Sequence, residues 1–168
     1  MRKFSLLFVL SVMLSFTNSA ISQQLLTSIA GKAGFYTLEY QQLFLKDKKL
    51  QVYAGIGISG FAVDQRATIV LPFTVGCQQR WNTWEAFAGL GFSPNFSYYY
   101  QAFSAGTSPS RMRFYSRSFV ELGARRYFSN DRFSLGLSYT PLISFIENFQ
   151  WEHWGAITLG YHFKNARK

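Results

Sequence analysis

Glu39, Glu85 and Glu121 are carboxylates that fall on the polar side of strand-like stretches. The basic groups that share their periodicity are Arg80, Arg117, Arg125 and Arg132. Carboxylates in an apolar setting can act as general acid and base. Here every acid has guanidiniums within reach of the same face, and buried charges persist when paired. The expectation is therefore an internal charge network of Glu39, Arg80, Glu85, Arg117, Glu121 and Arg125. Acyl transfer would need a Ser nucleophile, a His base and an orienting acid. The two histidines are His153 and His162, and neither stands in a His-x-Ser-Asn arrangement. Two isolated histidines without an acidic cluster give no metal-ligand pattern. "GIGISG", Gly55 to Gly60, has the glycines of a phosphate loop but alternates within a strand and lacks the helix that should follow. The single Cys77 excludes an internal disulfide and a cysteine-based metal cluster, and among apolar neighbours it reads as a small hydrophobe. No catalytic residue and no cofactor is expected.

The elements that must hold these residues follow a two-residue rhythm. In Phe35 to Leu45, Tyr36, Leu38, Tyr40 and Phe44 oppose Thr37, Glu39 and Gln41. In Leu50 to Phe61, Leu50, Val52, Ala54, Ile56 and Ile58 oppose Gln51, Tyr53, Gly55, Gly57 and Ser59. Ala67 to Trp81, Trp84 to Phe92, Met112 to Phe128, Arg132 to Phe145 and a closing segment from about Phe149 repeat the pattern. A weaker segment, Leu25 to Ala30, precedes them. Pro72, mid-strand, predicts a local bulge. Eight segments return both ends of the chain to one side of a closed antiparallel barrel. Tight turns near 46–49, 80–83 and 129–131 then lie at one end. The connections 31–34, 61–66, 93–111 and 146–149 lie at the other.

A small barrel can be greasy inside or outside. A soluble exterior should be dense in Lys, Asp and Glu, whereas the polar face here is mostly Gly, Ser, Thr and Gln. Aromatics make up 19% of residues, with 18 Phe and 10 Tyr, yet mean hydropathy is near zero. Rings also cluster at the strand ends. Phe44, Trp81, Trp84, Phe128, Phe133 and Phe163 fall at the tight-turn end; Tyr36, Phe92, Phe145 and Trp151 fall at the other. Two aromatic girdles around an aliphatic band fit lipid contact. The expected fold is all-β, an eight-stranded antiparallel transmembrane β-barrel of the outer membrane, its lumen filled by side chains. Other readings are a lipid-A-modifying enzyme (acyl hydrolase or transferase), a narrow pore, and a soluble ligand-binding barrel with the apolar face turned inward.

The N-terminus gives an address. Arg2 and Lys3, the apolar "FSLLFVLSVMLSF" and the small residues of "TNSAIS" form a secretory signal peptide over 1–22, with cleavage expected after Ser22 or Ala20. The barrel occupies 23–168. Cleavage lowers the formal charge from +9 by two, to +7. An exported basic chain of this kind is expected to meet anionic lipid headgroups or lipopolysaccharide rather than nucleic acid.

Two stretches imply partners. "SPNFSYYYQAFSAGTSPSRMRFYSR" keeps its alternation beyond the 9–11 residues, roughly, that cross a bilayer. A tall hairpin would show Tyr98, Tyr99, Tyr100 and Phe103 with Arg111 and Arg113, facing an extracellular protein or lipopolysaccharide sugars. The closing "GAITLGYHF" resembles the C-terminal signal by which outer-membrane barrels are recognised for insertion, although "KNARK" follows where the aromatic should be last. The phrases "GFYTLEYQQLF", "LQVYAGIGIS", "TIVLPFTVG", "WEAFAGLGF", "SLGLSYTPLI" and "WGAITLGYHF" span nearly all of 23–168. In this order they resemble the small outer-membrane β-barrel proteins of Bacteroidota, which are similar in size to OmpX-type barrels. That resemblance implies location and fold and supplies no activity.

Overall fold

In each strand one side-chain parity is apolar and the other is mostly small or polar, with a few large side chains such as Tyr53 and Phe119. A sheet closed on itself accommodates both, one set facing out and the other lining a lumen. The computed structural model describes residues 22–32, 36–44, 50–63, 66–99, 112–144 and 150–163. Its strands are β1 (Ser22–Ile29), β2 (Tyr36–Phe44), β3 (Leu50–Val63), β4 (Arg66–Val70), β5 (Phe73–Trp81), β6 (Trp84–Tyr99), β7 (Met112–Phe128), β8 (Phe133–Ser144) and β9 (Gln150–Phe163). Apart from β4 and β5, each pairs antiparallel with its sequence neighbour, and β1 also pairs with β9, which closes the barrel. β4 and β5 are two halves of one stave, both lying between β3 and β6. The chain is thus an eight-stranded antiparallel barrel.

Pro72 divides that stave, but not as a bulge. Ile56 pairs with Phe73 and Ser59 with Val70, so two residues separate the pairs on each strand. The same count holds toward β6, where Val70 meets Asn95 and Phe73 meets Phe92. No residue is inserted, and the expectation of a bulge is corrected. Proline merely removes a donor. Gly57 N–H donates to Pro72 O (2.8 Å) and Leu71 N–H donates to Pro94 O (3.0 Å), while the reciprocal bonds, which would need a proline N–H, are missing.

Strand ends also moved. β3 runs to Val63 and β4 starts at Arg66, so most of the connection expected at 61–66 is strand. Phe61, Ala62 and Val63 pair there with Thr68, Ala67 and Arg66, so the ladder continues nearly to the tip. At the opposite end the turns are tight, with Asn82 (φ 52°) between β5 and β6. Ser129, Asn130 and Asp131 (φ 49°, 56° and 68°) join β7 to β8. Asn and Asp are the non-glycine residues that most readily adopt this left-handed region.

The outer surface is apolar. Ile58, Val75, Leu90, Leu122, Leu137, Ile157 and Leu159 are exposed in the aliphatic band. Trp81, Trp84, Phe128, Phe133 and Phe163 are exposed below it, and Tyr36, Phe92 and Trp151 above it. A continuous apolar belt of this extent is at home in lipid and would be an aggregation liability in water. Phe145 of the upper girdle lies outside the described residues, as do residues 1–21 of the expected signal peptide. β1 begins at Ser22, so cleavage after it would leave the strand from Gln23 onward.

Candidate functional site

The lumen is built around a cation that periodicity did not single out. Lys32 sits on the short connection between β1 and β2. Ala30 (φ 62°) and Gly31 (φ 99°) turn the chain there, and a Cβ on Gly31 would stand 2.8 Å from that of Ala156. Only glycine fits both the backbone angle and that approach. The turn delivers Lys32 into the barrel, where its side chain is 5% exposed. Lys32 Nζ forms ion pairs with Glu39 and with Glu121 (2.9 Å), approaches Thr74 Oγ1 (3.4 Å) and lies 5.9 Å from the centre of the Phe119 ring. Burial alone would pull the ammonium below its ordinary pKa. Glu121 and Glu39 reverse that and hold it above.

Nearer the tight-turn end a second set forms. Arg125 Nε and Glu85 Oε1 are 2.5 Å apart, and Tyr127 OH donates to the other Glu85 oxygen at 2.7 Å. Arg125 Nη2 donates to Gln78 Oε1 (3.1 Å), whose amide donates to Gln51 (3.1 Å). The Arg125 guanidinium also lies over Phe87, 4.7 Å from the ring centre. Gln24 and Gln41 run on to Glu39: Gln24 Nε2 donates to Gln41 Oε1 (2.5 Å), and Gln41 Nε2 to Glu39 Oε1 (3.0 Å). Tyr53, fully buried, fills the space between the sets because Gly76 and Gly89 beside it carry no side chain. Lys32, Glu39, Gln41, Phe87, Glu121 and Arg125 line a cavity of ≈ 10 Å³, room for about one water.

Of the six expected network residues, Glu39, Glu85, Glu121 and Arg125 are brought together inside the barrel. Arg80 is not. It stands at the tight-turn rim, paired with Asp131 (2.5 Å) and lying 4.1 Å from the centre of the Tyr127 ring. Arg117 is near the opposite mouth, bonded to Glu152 (3.2 Å), which also accepts from Trp154 Nε1 (3.2 Å). Three buried acids would then face Arg125 alone, and Lys32 supplies the missing positive charge. Its signal in the sequence was a lone lysine between glycines in an outer connection too short to project.

One pairing has the look of chemistry. His162 Nε2 is 2.8 Å from Ser134 Oγ. Both side chains are buried, the imidazole is 4.6 Å from the Tyr127 ring, and no carboxylate within hydrogen-bond reach orients it among the described residues. It ties β8 to β9 across the lumen floor.

The exterior rim is uneven. The β1–β2 ladder ends at Ile29 and Tyr36, after eight pairs. The β6–β7 ladder runs fifteen pairs, from Trp84–Arg126 to Tyr98–Met112. β8 accompanies β7 only as far as Arg117–Ser144. On the outer face of this raised wall Met112 is 70%, Phe114 64% and Tyr98 48% exposed, and the Phe96 and Phe114 rings lie 5.2 Å apart. Of the expected surface residues, Tyr98 is placed there. Tyr99 ends β6 without a described side chain, and Tyr100 and Phe103 lie outside the described residues.

No protein-family model matches the chain. No curated protein matches it in sequence. Solved structures do. The N-terminal β-barrel domain of Pseudomonas aeruginosa OprF is similar with a TM-score of 0.55 and 9% identity, over 84% of this chain and 97% of that one. Ail, the attachment invasion locus protein of Yersinia pestis, gives 0.54 and 16%, over 86% and 97%. Neisserial surface protein A gives 0.51 and 10%, over 85% and 94%. At these identities the likeness concerns architecture, and the fold this chain shares is that of small outer-membrane β-barrels.

Proposed function

We propose that the protein is a non-enzymatic outer-membrane barrel that works through its outer surface, with the lumen serving as an ion-paired core. The raised β6–β7 wall carries this reading. A strand of roughly 9–11 residues crosses the bilayer, and β6 and β7 continue beyond that with Tyr98, Met112 and Phe114 exposed on one face. An apolar, aromatic patch standing above the lipid is a protein-docking surface, and an extracellular protein is its proposed partner. Lipopolysaccharide and membrane lipid surround the belt below. The C-terminal strand would engage the insertion machinery, after export directed by the segment 1–22. Kinship with the Bacteroidota barrels is supported by the sequence phrases.

The test is surface labelling. Phe114→Cys and, separately, Leu90→Cys in a Cys77→Ala background should be exposed on intact cells to a membrane-impermeant maleimide. Phe114→Cys should label and Leu90→Cys should stay protected. Protection of both would bury the raised wall in lipid and remove the docking surface. An assay of the refolded protein for acyl release or transfer from lipid A should show no turnover.

A further inference from the structure

Among the described strands, the outward-facing positions carry one charged side chain, Arg126. Its neighbours Arg125 and Tyr127 are buried in the lumen, so strand alternation turns Arg126 to the outside, where it is exposed. It pairs across the ladder with Trp84 on one side and Leu135 on the other. Its guanidinium lies over the Trp84 ring, 5.8 Å from the centre. The nearby carboxylates are taken: Glu85 by Arg125 and Asp131 by Arg80. No ion pair involves Arg126 among the described residues. Its depth is that of the tight-turn girdle, between Trp84, Phe128 and Phe133.

A guanidinium on the lipid face is costly at mid-bilayer, and the cost falls away toward the interface, where a long side chain can reach the headgroups. Arg126 meets that condition, and its five donors fit phosphate oxygens in a way that an ammonium does not. The indole beneath holds it in place and is itself a residue of the headgroup zone. Arg132, exposed on the β7–β8 turn, adds a second positive charge at this end. A headgroup with its own ammonium would be repelled by that field, whereas a purely anionic one would be drawn in.

We propose that Arg126 and Trp84 form a binding site for the phosphate of an anionic phospholipid in the periplasmic leaflet. This rests on the membrane reading above, with the tight turns facing the periplasm.

The experiment uses the mature chain refolded into phosphatidylcholine vesicles containing dibrominated phosphatidylglycerol or dibrominated phosphatidylcholine. Quenching of Trp84 is read in a Trp81→Phe, Trp151→Phe, Trp154→Phe background. The brominated anionic lipid should be preferred about fivefold, the factor expected of one basic side chain at a charged surface. Arg126→Gln should lose most of the preference. Arg126→Lys should keep part of it, and Arg132→Gln most of it. Millimolar inorganic phosphate should not compete; if it did, the site would be a general anion site and the lipid assignment would fall. An equal ratio in wild type and Arg126→Gln would also overturn it. Failure of the wild type to insert at all would sink the membrane reading instead. If the single-tryptophan chain does not fold, phosphatidylglycerol retained by wild type and Arg126→Gln in native mass spectrometry decides the same question, with equal retention as the refuting result.

Discussion

Replacing Lys32 with Met tests whether the lumen is held by charge pairing. Met keeps most of the stem's volume and removes only the ammonium. Glu39 and Glu121 would then face each other almost wholly buried, with the Gln41 amide as the remaining donor to Glu39. Breaking a buried pair by removing one partner costs about 3–5 kcal/mol, because the survivor keeps its burial and loses its counter-charge. Two survivors put Lys32→Met at the upper part of that range. Urea unfolding in phospholipid vesicles, followed by tryptophan fluorescence, measures the loss as a shift in midpoint. The triple variant Lys32→Met, Glu39→Gln, Glu121→Gln should recover most of it, since neutral groups of similar shape need no counter-charge. A loss below about 1 kcal/mol, or a triple variant as weak as the single one, would refute the reasoning. The pH dependence carries the same signature. The partners hold the folded-state pKa of Lys32 above 10.5. Its stabilisation is therefore complete below 10.5 and is lost only as pH rises through the higher folded value. Lys32→Met should lack that alkaline component.

Ile56→Arg, outward and in the aliphatic band, should cost roughly 2–4 kcal/mol in the same vesicles; an unchanged midpoint would mean that the two faces are exchanged. Planar-bilayer recordings of the wild type should show no stable conductance steps, because Tyr53, Phe119, Glu39, Glu85 and Arg125 are buried across the lumen; steady channels would open a transport role. Mass spectrometry of the protein from the membrane fraction should find its N-terminus at Gln23, or at Ile21 as second choice, and an intact Met1 would overturn the export argument.

Which residues face in and which face out was legible from alternation alone, because every strand obeys the same parity. Depth was not. Arg80 and Arg125 share the inward parity, yet Arg80 lies one residue from the end of β5 and reaches Asp131 on the neighbouring turn, while Arg125 lies farther inside and meets Glu85. Arg117 is likewise inward but four residues beyond Glu121 along β7, at the mouth. Periodicity assigns a face, and only the stagger of neighbouring strands assigns a level. Lys32 was missed for a different reason: it is on no strand, so no alternation could point it inward. What places it is the left-handed geometry at Gly31. β1 begins three residues before the expected Leu25, and Gln24, of inward parity, is buried there and bonded to Gln41.

The two prolines at one level of the wall have a consequence for how this architecture can change over time. Pro72 and Pro94 each withhold a bond at the same height, yet the register above and below is unbroken. The β3–β4 tip above that line is therefore joined to the wall beneath by a weakened seam that carries no register information. Insertions, deletions or wholesale exchange of the tip between Val63 and Arg66 leave the pairing of Ile56 with Phe73 and of Phe73 with Phe92 untouched. The lower barrel can stay constant in lipid while its crown is rewritten, so selection for a new surface need not re-solve the problem of closing the sheet.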